Sequence, residues 1–565
     1  KVLAMLLYAV GTYALARHFS PTQGALLAAA ISVYAPFRLS EAWIQGNLAQ
    51  LFALALVPCT LALLAQTARR GTPGWAASVA LAYAGLTVTH HPTAFLFSPF
   101  AGLYALIAPW AAGRKKALRA TLGGLALGLV LGAIFWLPAV GELRYTQVDR
   151  ASAGFAIGEH FLTPQELFAI TPPLDRTAIN PPRPNNLGLA GLLLAALGLG
   201  AFWPGVWARL SRWSRVHIAG ALVGLVGCIL LMLPVSYWFW ETAPLARLIL
   251  FPWRMMGMAV LWMALLAGAA WTWLPSEKRL LSAWFGLGAL LVLLEAANLL
   301  YPLRPFLTWA DVTPSTATAF EVETGNLGIV SADEYLPRWV TEIPLDAPAD
   351  PWQYDSRFWM IDREDVTSTA QLTPVADAPP GRNVWRVSAS HEAVLTFRQF
   401  YFPGFAAYLD GQSWPVEPGR NGMLTVRVPR GVHVLELRYA GTRLQHVANA
   451  LGIAGLVACL ALVILSWRQG SGQPDAKLPD AERLTWREMA TLAVLPVVGA
   501  IILHGVIRPY TDWFRPRSDV TSPRDMEQAV HARLGDELEL IGYTLSGSEV
   551  GPGDTLTIDL YWRAL

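Results

Sequence analysis

Arg38 and Glu41 lie three residues apart in Tyr34-Ala-Pro-Phe-Arg-Leu-Ser-Glu-Ala-Trp-Ile-Gln-Gly-Asn, a spacing that places a guanidinium and a carboxylate on one helical turn. Such a carboxylate can take a proton from a hydroxyl, and such a guanidinium can hold a phosphate through two parallel hydrogen bonds. The same two residues also read as a plain ion pair at a membrane interface. His90 and His91 follow Thr89 and precede the helix breaker Pro92. Adjacent helical positions face different ways, so the two rings make a poor metal pair. They read either as an interfacial polar turn or as holders of phosphate or sugar hydroxyls. Glu142, Arg144 and Asp149, then Glu159 and His160, follow Phe135-Trp-Leu-Pro-Ala-Val-Gly. Arg254 sits in Phe251-Pro-Trp-Arg-Met, as an aromatic-belt anchor or a bidentate phosphate grip. Phosphate-loop, Cys-x-x-Cys, nucleophile-elbow and His-Glu-x-x-His patterns do not occur. Cys59, Cys228 and Cys459 each lie inside an apolar run and read as small buried hydrophobes.

The elements that position these residues follow from composition. Of the 565 residues 54% are hydrophobic and 15% charged, with a formal net charge of +2, whereas soluble domains carry about 25% charged residues. Such a chain is a polytopic membrane protein with something soluble attached, and its near-neutral charge gives no sign of nucleic-acid binding. The 24 Trp agree, because indoles favour membrane interfaces. A helix spanning the bilayer needs about 20 apolar residues. Twelve runs approach that: 2–17, 22–37, 48–66, 75–90, 94–110, 119–140, 187–207, 217–240, 255–275, 280–301, 447–467 and 488–507. Gly- and Ala-rich stretches within them (121–133, 187–201, 264–270) predict close helix packing. With residue 1 outside, sixteen Lys and Arg fall in the inner loops and three in the short outer loops, the asymmetry expected of a cytoplasmic inner face.

This alternation puts three long segments outside, 141–186, 302–446 and 508–565. Segment 302–446 holds no Lys but 12 Arg and 17 acidic residues, the composition of a soluble domain. Leu424, Val426 and Val428 alternate with Thr425 and Arg427, and Leu435, Leu437 and Tyr439 with Glu436 and Arg438, which predicts strands. Asp410-Gly411 is a hairpin signal, and Pro429-Arg430-Gly431 a turn. The expected fold class is therefore an all-α membrane domain with an inserted extracytoplasmic β-sandwich. Its divisions are a core over 1–301, a mainly β domain over 302–446, two further spans over 447–507 with a cytoplasmic linker at 468–487, and the start of a second β-domain over 508–565. The apolar start at Val2 and the final unpaired strand suggest a chain cut from a longer protein.

The order of these motifs resembles the bacterial GT-C-like membrane proteins, in particular the YfhO-type proteins and the group called 6-pyruvoyl-tetrahydropterin-synthase-related membrane proteins. The resemblance covers about residues 1–467. It rests on Tyr34-Ala-Pro-Phe-Arg-Leu with Gly46-Asn-Leu-Ala-Gln, on Thr89-His-His-Pro, Phe135-Trp-Leu-Pro-Ala-Val-Gly-Glu, His160-Phe-Leu-Thr-Pro-Gln-Glu-Leu-Phe and Phe251-Pro-Trp-Arg, and on Phe402-Pro-Gly-Phe-Ala-Ala-Tyr-Leu-Asp-Gly with Val428-Pro-Arg-Gly-Val-His-Val. It implies a multi-span core in the bacterial plasma membrane and an extracytoplasmic active site. It also implies a polyprenyl-phosphate-linked sugar as donor, with transfer to a glycan, lipid or protein acceptor. Enzymes of this kind place a catalytic carboxylate in the first outer loop, which here lies upstream of Lys1. Where the family pattern has Arg-Gly and then Glu, this sequence has Gln45-Gly46 and Gln50.

Two functions are open on these residues. In a membrane glycosyltransferase, Glu41 and Glu142 are the candidate catalytic carboxylates, while Arg38, His90, His91, Arg144 and Arg254 are the candidate substrate-binding residues. No metal ligands stand out, although a divalent metal is compatible with an outer cavity of this kind. In a non-catalytic lipid or polymer exporter or envelope assembly factor, the outer β-domains would present a glycan-binding surface.

Overall fold

The computed structural model describes residues 1–148, 157–171, 183–243, 246–274, 278–300, 316, 335–342, 370–375, 383–468, 526, 528–535, 538–545, 556 and 558–564. Contacts divide the chain into two units, Lys1–Leu484 and Thr485–Leu565. Helices coincide with eleven of the twelve apolar runs; the run at 488–507 and the linker 468–487 lie outside the described residues, apart from Arg468. Five helices are long and apolar enough to cross a membrane: Leu48–Arg70, His91–Ala111, Arg212–Met232, Pro252–Thr272 and Arg443–Arg468. The pair Lys115–Leu131 and Ala133–Gly141 makes a sixth if taken as one span. Val2–Ala16, Thr22–Tyr34, Leu189–Phe202 and Ala283–Ala296 are shorter apolar helices. At 15 residues and about 1.5 Å per residue, Val2–Ala16 falls short of a bilayer core of about 30 Å, so the count of twelve full-length spans does not follow from helix length.

The single run expected at 119–140 is bent by 66° at its break. Before the bend, Gly124 and Gly128 lie against helix Pro73–Thr89, where a Cβ would come within 2.9 Å of the Ala76 carbonyl and 3.0 Å of the Ala80 carbonyl. Only hydrogen at these positions lets the two backbones approach so closely, which is the packing the Gly-rich sequence predicts. Every residue of Met256–Gly268 is buried. Its all-round apolar sequence therefore sits in the middle of the helical layer rather than at its rim.

After this helical core the same unit carries a β-sandwich. One sheet has the order β1-β2-β8-β4-β5, from Ala370–Pro374 (β1), Asn383–Ala389 (β2), Phe405–Leu409 (β4), Gln412–Trp414 (β5) and Gly431–Tyr439 (β8). The other has the order β3-β7-β6, from Ala393–Phe400 (β3), Glu417–Pro418 (β6) and Met423–Val428 (β7). All pairings are antiparallel. Leu424, Val426 and Val428 from one sheet meet Val387, Leu435 and Leu437 from the other in one apolar core. Asp410 and Gly411 both take positive φ between the paired residues Leu409 and Gln412, a two-residue hairpin of the expected type. Pro429-Arg430 connects strands of opposite sheets, β7 and β8, so it is a crossover between layers rather than a hairpin. The second unit contains an antiparallel three-stranded sheet, Gln528–Leu534 (β9), Leu538–Leu545 (β10) and Ile558–Ala564 (β11), with β10 central.

Candidate functional site

Helix Thr22–Tyr34 ends because Pro36 follows: the proline ring drives Ala35 out of helical geometry, to ψ 139°. One α-turn, Pro36–Ser40, and one π-turn, Glu41–Gln45, then lead to helix Leu48–Arg70. Asn47 caps that helix by accepting the Gln50 N–H at 3.0 Å. Single π-turns recur at functional sites because they re-aim a side chain without ending the helix, and here the first residue of the π-turn is Glu41. Leu39 anchors the stretch by packing with Ala296 and Leu299. Arg38 and Glu41 consequently point into protein, at 1% and 0% exposure.

The Arg38 guanidinium lies over the Tyr8 ring, 4.0 Å from its centroid, and none of its three nitrogens has a hydrogen-bond partner among the described residues. Buried guanidinium donors left without a hydrogen-bond partner cost several kcal/mol. Both Glu41 oxygens likewise lack a hydrogen-bond donor among the described residues. The carboxylate forms an ion pair at 3.6 Å with Arg183, and the charges of Arg183, Arg38 and Arg254 all act on it. Burial outweighs these three cations and pushes the Glu41 carboxyl up to about 7.

Arg183 arrives on a stretch without regular secondary structure, 183–188, pinned from several sides. Buried Asn186 donates to the Ala169 carbonyl at 3.0 Å and to Thr171 Oγ1 at 2.9 Å. The Leu187 N–H donates to the Leu167 carbonyl at 3.1 Å. Gly188 adopts φ +99°, and a Cβ there would sit 2.9 Å from Pro36 Cδ and 2.8 Å from Glu295 Oε2. The stretch therefore lies directly on the start of the Arg38 turn. Arg183 itself forks onto Asn185 Oδ1, with Nε at 3.1 Å and Nη2 at 2.8 Å, and stacks 3.6 Å from the Trp253 ring. Its remaining nitrogen, Nη1, faces Glu41.

Arg254 belongs to the turn Pro252–Met255 and donates to the Ile249 carbonyl at 2.8 Å. The same carbonyl accepts the Phe251 N–H at 2.7 Å across Leu250, which is held at φ +64°. A leucine in that region costs on the order of 1 to 3 kcal/mol, so the fold tolerates backbone strain at the turn that aims Arg254. The charge of Arg254 also reaches His90 and His91. His90 caps helix His91–Ala111, its Nδ1 accepting the Thr93 N–H at 3.3 Å. That bond assigns the ring proton to Nε2. His160 stands edge-on to Phe251, with ring centroids 5.0 Å apart.

Five of the residues singled out from the sequence thus converge, Arg38, Glu41, His90, His91 and Arg254, together with Arg183, which sequence reasoning missed. Two do not join them. Glu142 accepts hydrogen bonds from the Thr442 hydroxyl and from Gln445 Nε2, the latter at 2.9 Å, and so fastens the end of helix Ala133–Gly141 to the start of helix Arg443–Arg468. Arg144 binds the Tyr145 hydroxyl at 2.9 Å, and its carbonyl accepts from Arg338 at 2.7 Å. Asp149 lies outside the described residues. Among the described residues there is no group of three or more His, Cys, Asp or Glu that could hold a metal ion, and three guanidiniums acting on Glu41 suit an anion rather than a cation. Trp240 is fully buried, with Nε1 donating to the Leu231 carbonyl at 2.9 Å.

A family model described as "6-pyruvoyl-tetrahydropterin synthase related domain; membrane protein" matches residues 2–300, the stretch that holds all six converging residues. No curated protein and no solved structure matches the chain.

Proposed function

The chain belongs to the 6-pyruvoyl-tetrahydropterin synthase related family of membrane proteins, and from that premise we propose that it is a membrane glycosyltransferase working on the extracytoplasmic face of the bacterial plasma membrane. The donor in this reading is a polyprenyl-phosphate-linked sugar, and the acceptor a hydroxyl of a glycan, lipid or protein. The observation that carries the reading is the buried Arg38 guanidinium, without a hydrogen-bond partner among the described residues, near a buried carboxyl that burial pushes up to about 7. Unmet buried guanidinium donors favour a phosphate, and a carboxylate poised near the working pH favours a general base.

In the step we assign, the acceptor hydroxyl attacks the anomeric carbon as Glu41 takes its proton. The bond between that carbon and the phosphate oxygen breaks, and its electron pair leaves on polyprenyl phosphate. Arg38 and Arg254 stabilise the charge that builds on the departing oxygen. His90 and His91 stand beside Arg254 to hold sugar hydroxyls, the Nε2–H of His90 serving as a donor. Glu142 and Arg144 act at a distance in this scheme, by fixing the exit of the helical core to the β-sandwich. The twelve apolar runs, the outer placement of the β-domains and the positive inner loops complete the topology. Right-side-out and inverted vesicles given a polyprenyl-phosphate-linked sugar test the assignment. Transfer from donor on the outer face alone supports it, and transfer from neither face refutes it. The non-catalytic reading, an exporter or assembly factor, then gains support if the donor binds or crosses unchanged.

A further inference from the structure

We propose that the end of the helical core opposite the Arg38 turn is a docking surface for anionic phospholipid headgroups, built from Arg69, Arg70, Arg114 and Arg212 around the rings of Trp110 and Trp213. Helix Leu48–Arg70 starts beside the Arg38 turn and, at 23 residues and about 1.5 Å per residue, ends about 34 Å away. There three helix ends close into a ring. The Arg69 guanidinium lies over the Trp213 ring at 5.6 Å, and that of Arg212, the residue before Trp213, over the Trp110 ring at 3.0 Å. Trp110 is in the last turn of helix His91–Ala111, and Arg114, four residues on, donates to the Arg70 carbonyl at 3.3 Å. Arg70 adjoins Arg69 and completes the circuit. His217 fixes Trp213 from within, its ring centroid 4.4 Å away. Its Nδ1 donates to the Trp213 carbonyl at 2.8 Å, and its Nε2 accepts the Tyr104 hydroxyl of helix His91–Ala111 at 2.7 Å.

Charge selects an anion for this surface. Residues 42–141 and 187–240, which contain all three helices, hold nine Lys and Arg and no Asp or Glu, and all nine fall at 69–70, 114–119 and 209–215. These elements bring no carboxylate of their own to a positive end, and Arg70, Arg114 and Arg212 are exposed there. The rings set the depth. An indole at the end of an apolar helix marks the boundary between hydrocarbon and headgroups, and Trp110 is 51% exposed. A guanidinium stacked by its face on such a ring stands at the level of the lipid phosphates and presents its N–H groups edgewise, in the fork that matches phosphate oxygens. A soluble acidic partner has no need of indoles at that depth, so the pairing of charge with Trp favours lipid.

The test is native mass spectrometry of the full chain in detergent, given equal amounts of phosphatidylglycerol and phosphatidylcholine with the same acyl chains. The wild type is expected to retain phosphatidylglycerol in preference, and the preference to fall as ionic strength rises from about 0.05 to about 0.5 M. Arg70→Gln combined with Arg212→Gln is expected to cut the preference by about fivefold for each charge removed. Arg70→Lys with Arg212→Lys should keep part of it, as point charges without the planar fork. Arg430→Gln, which removes an exposed charge from the β-sandwich, should leave the preference unchanged. Melts without lipid check that each variant is folded. No preference in the wild type, or a preference that salt and the double substitution leave intact, overturns the proposal. An equal fall with Arg430→Gln does the same, because net charge alone would then account for it. Saturable binding of polyglutamate with no preference between the two lipids gives the surface to an acidic protein and also overturns it. None of these outcomes depends on sugar transfer.

Discussion

Replacing Glu41 by Gln should change how stability depends on pH, in a direction fixed by the structure. In the unfolded chain the carboxyl titrates at about 4.5, and in the folded protein burial raises it to about 7. A carboxyl raised in this way is compatible with the fold when protonated and penalises it when ionised. Its contribution is therefore fully present below pH 4.5, is lost as pH rises to about 7, and stays lost above. The interval of about two and a half pH units corresponds to about 3 kcal/mol at 1.36 kcal/mol per unit. Glutamine has the same shape and no proton to lose. The difference in apparent melting temperature, Glu41→Gln minus wild type, should rise by a few degrees between pH 4.5 and 7 and level off beyond. Groups that titrate alike in both proteins cancel, so the slope isolates Glu41. Tryptophan fluorescence melts at fixed detergent and scan rate measure it. A difference that stays flat would show that the three arginines offset burial, and one that falls with rising pH that they outweigh it; in either case the argument for a neutral-range base would fail.

Other perturbations separate the roles assigned to neighbouring residues. Gly188→Ala sets a Cβ against Pro36 and Glu295 at a positive φ, so it should destabilise by about 1 to 3 kcal/mol and also slow sugar transfer, because the displaced stretch carries Arg183, the ion-pair partner of Glu41; transfer assays and melts on the same sample check both. Glu142→Gln leaves one acceptor oxygen for the two donors from Thr442 and Gln445. It should lower stability by about 1 to 3 kcal/mol while sugar transfer stays within about twofold, and a loss of transfer of about tenfold would return Glu142 to the site. Asn186→Ala removes the bonds to Ala169 and Thr171 and should slow sugar transfer through the same stretch, in the same assay.

The legibility of the site follows sequence distance. Arg38 and Glu41 could be placed together because a helix brings neighbours three apart together, and the structure keeps them on consecutive turns, but the ion pair that Glu41 forms is with Arg183 rather than with Arg38. His90-His91 and Arg254 were visible as polar residues at the ends of apolar runs. Arg183 was not, because the sequence Pro181-Pro-Arg-Pro around it has no period to read. The signal available was a single guanidinium between prolines that stiffen the chain, inside a segment already marked as long and polar. Glu142 was legible as a helix-end carboxylate, but its partners Thr442 and Gln445 lie some 300 positions along the chain, beyond any local pattern. In the β-sandwich, alternation marked the buried Leu424, Val426 and Val428 of β7 and Leu435 and Leu437 of β8, but Tyr439, at the end of β8, is exposed and Thr425 is buried. That their turn joins opposite sheets depends on pairing with β2 and β3, which alternation alone does not encode.

Sugar transfer by Glu41→Gln tests the central claim most directly. In membranes given saturating polyprenyl-phosphate-linked donor, a general base at Glu41 predicts a rate about 100-fold or more below wild type, with donor binding preserved. Equal rates for the two proteins would contradict the claim that this carboxylate takes the acceptor's proton.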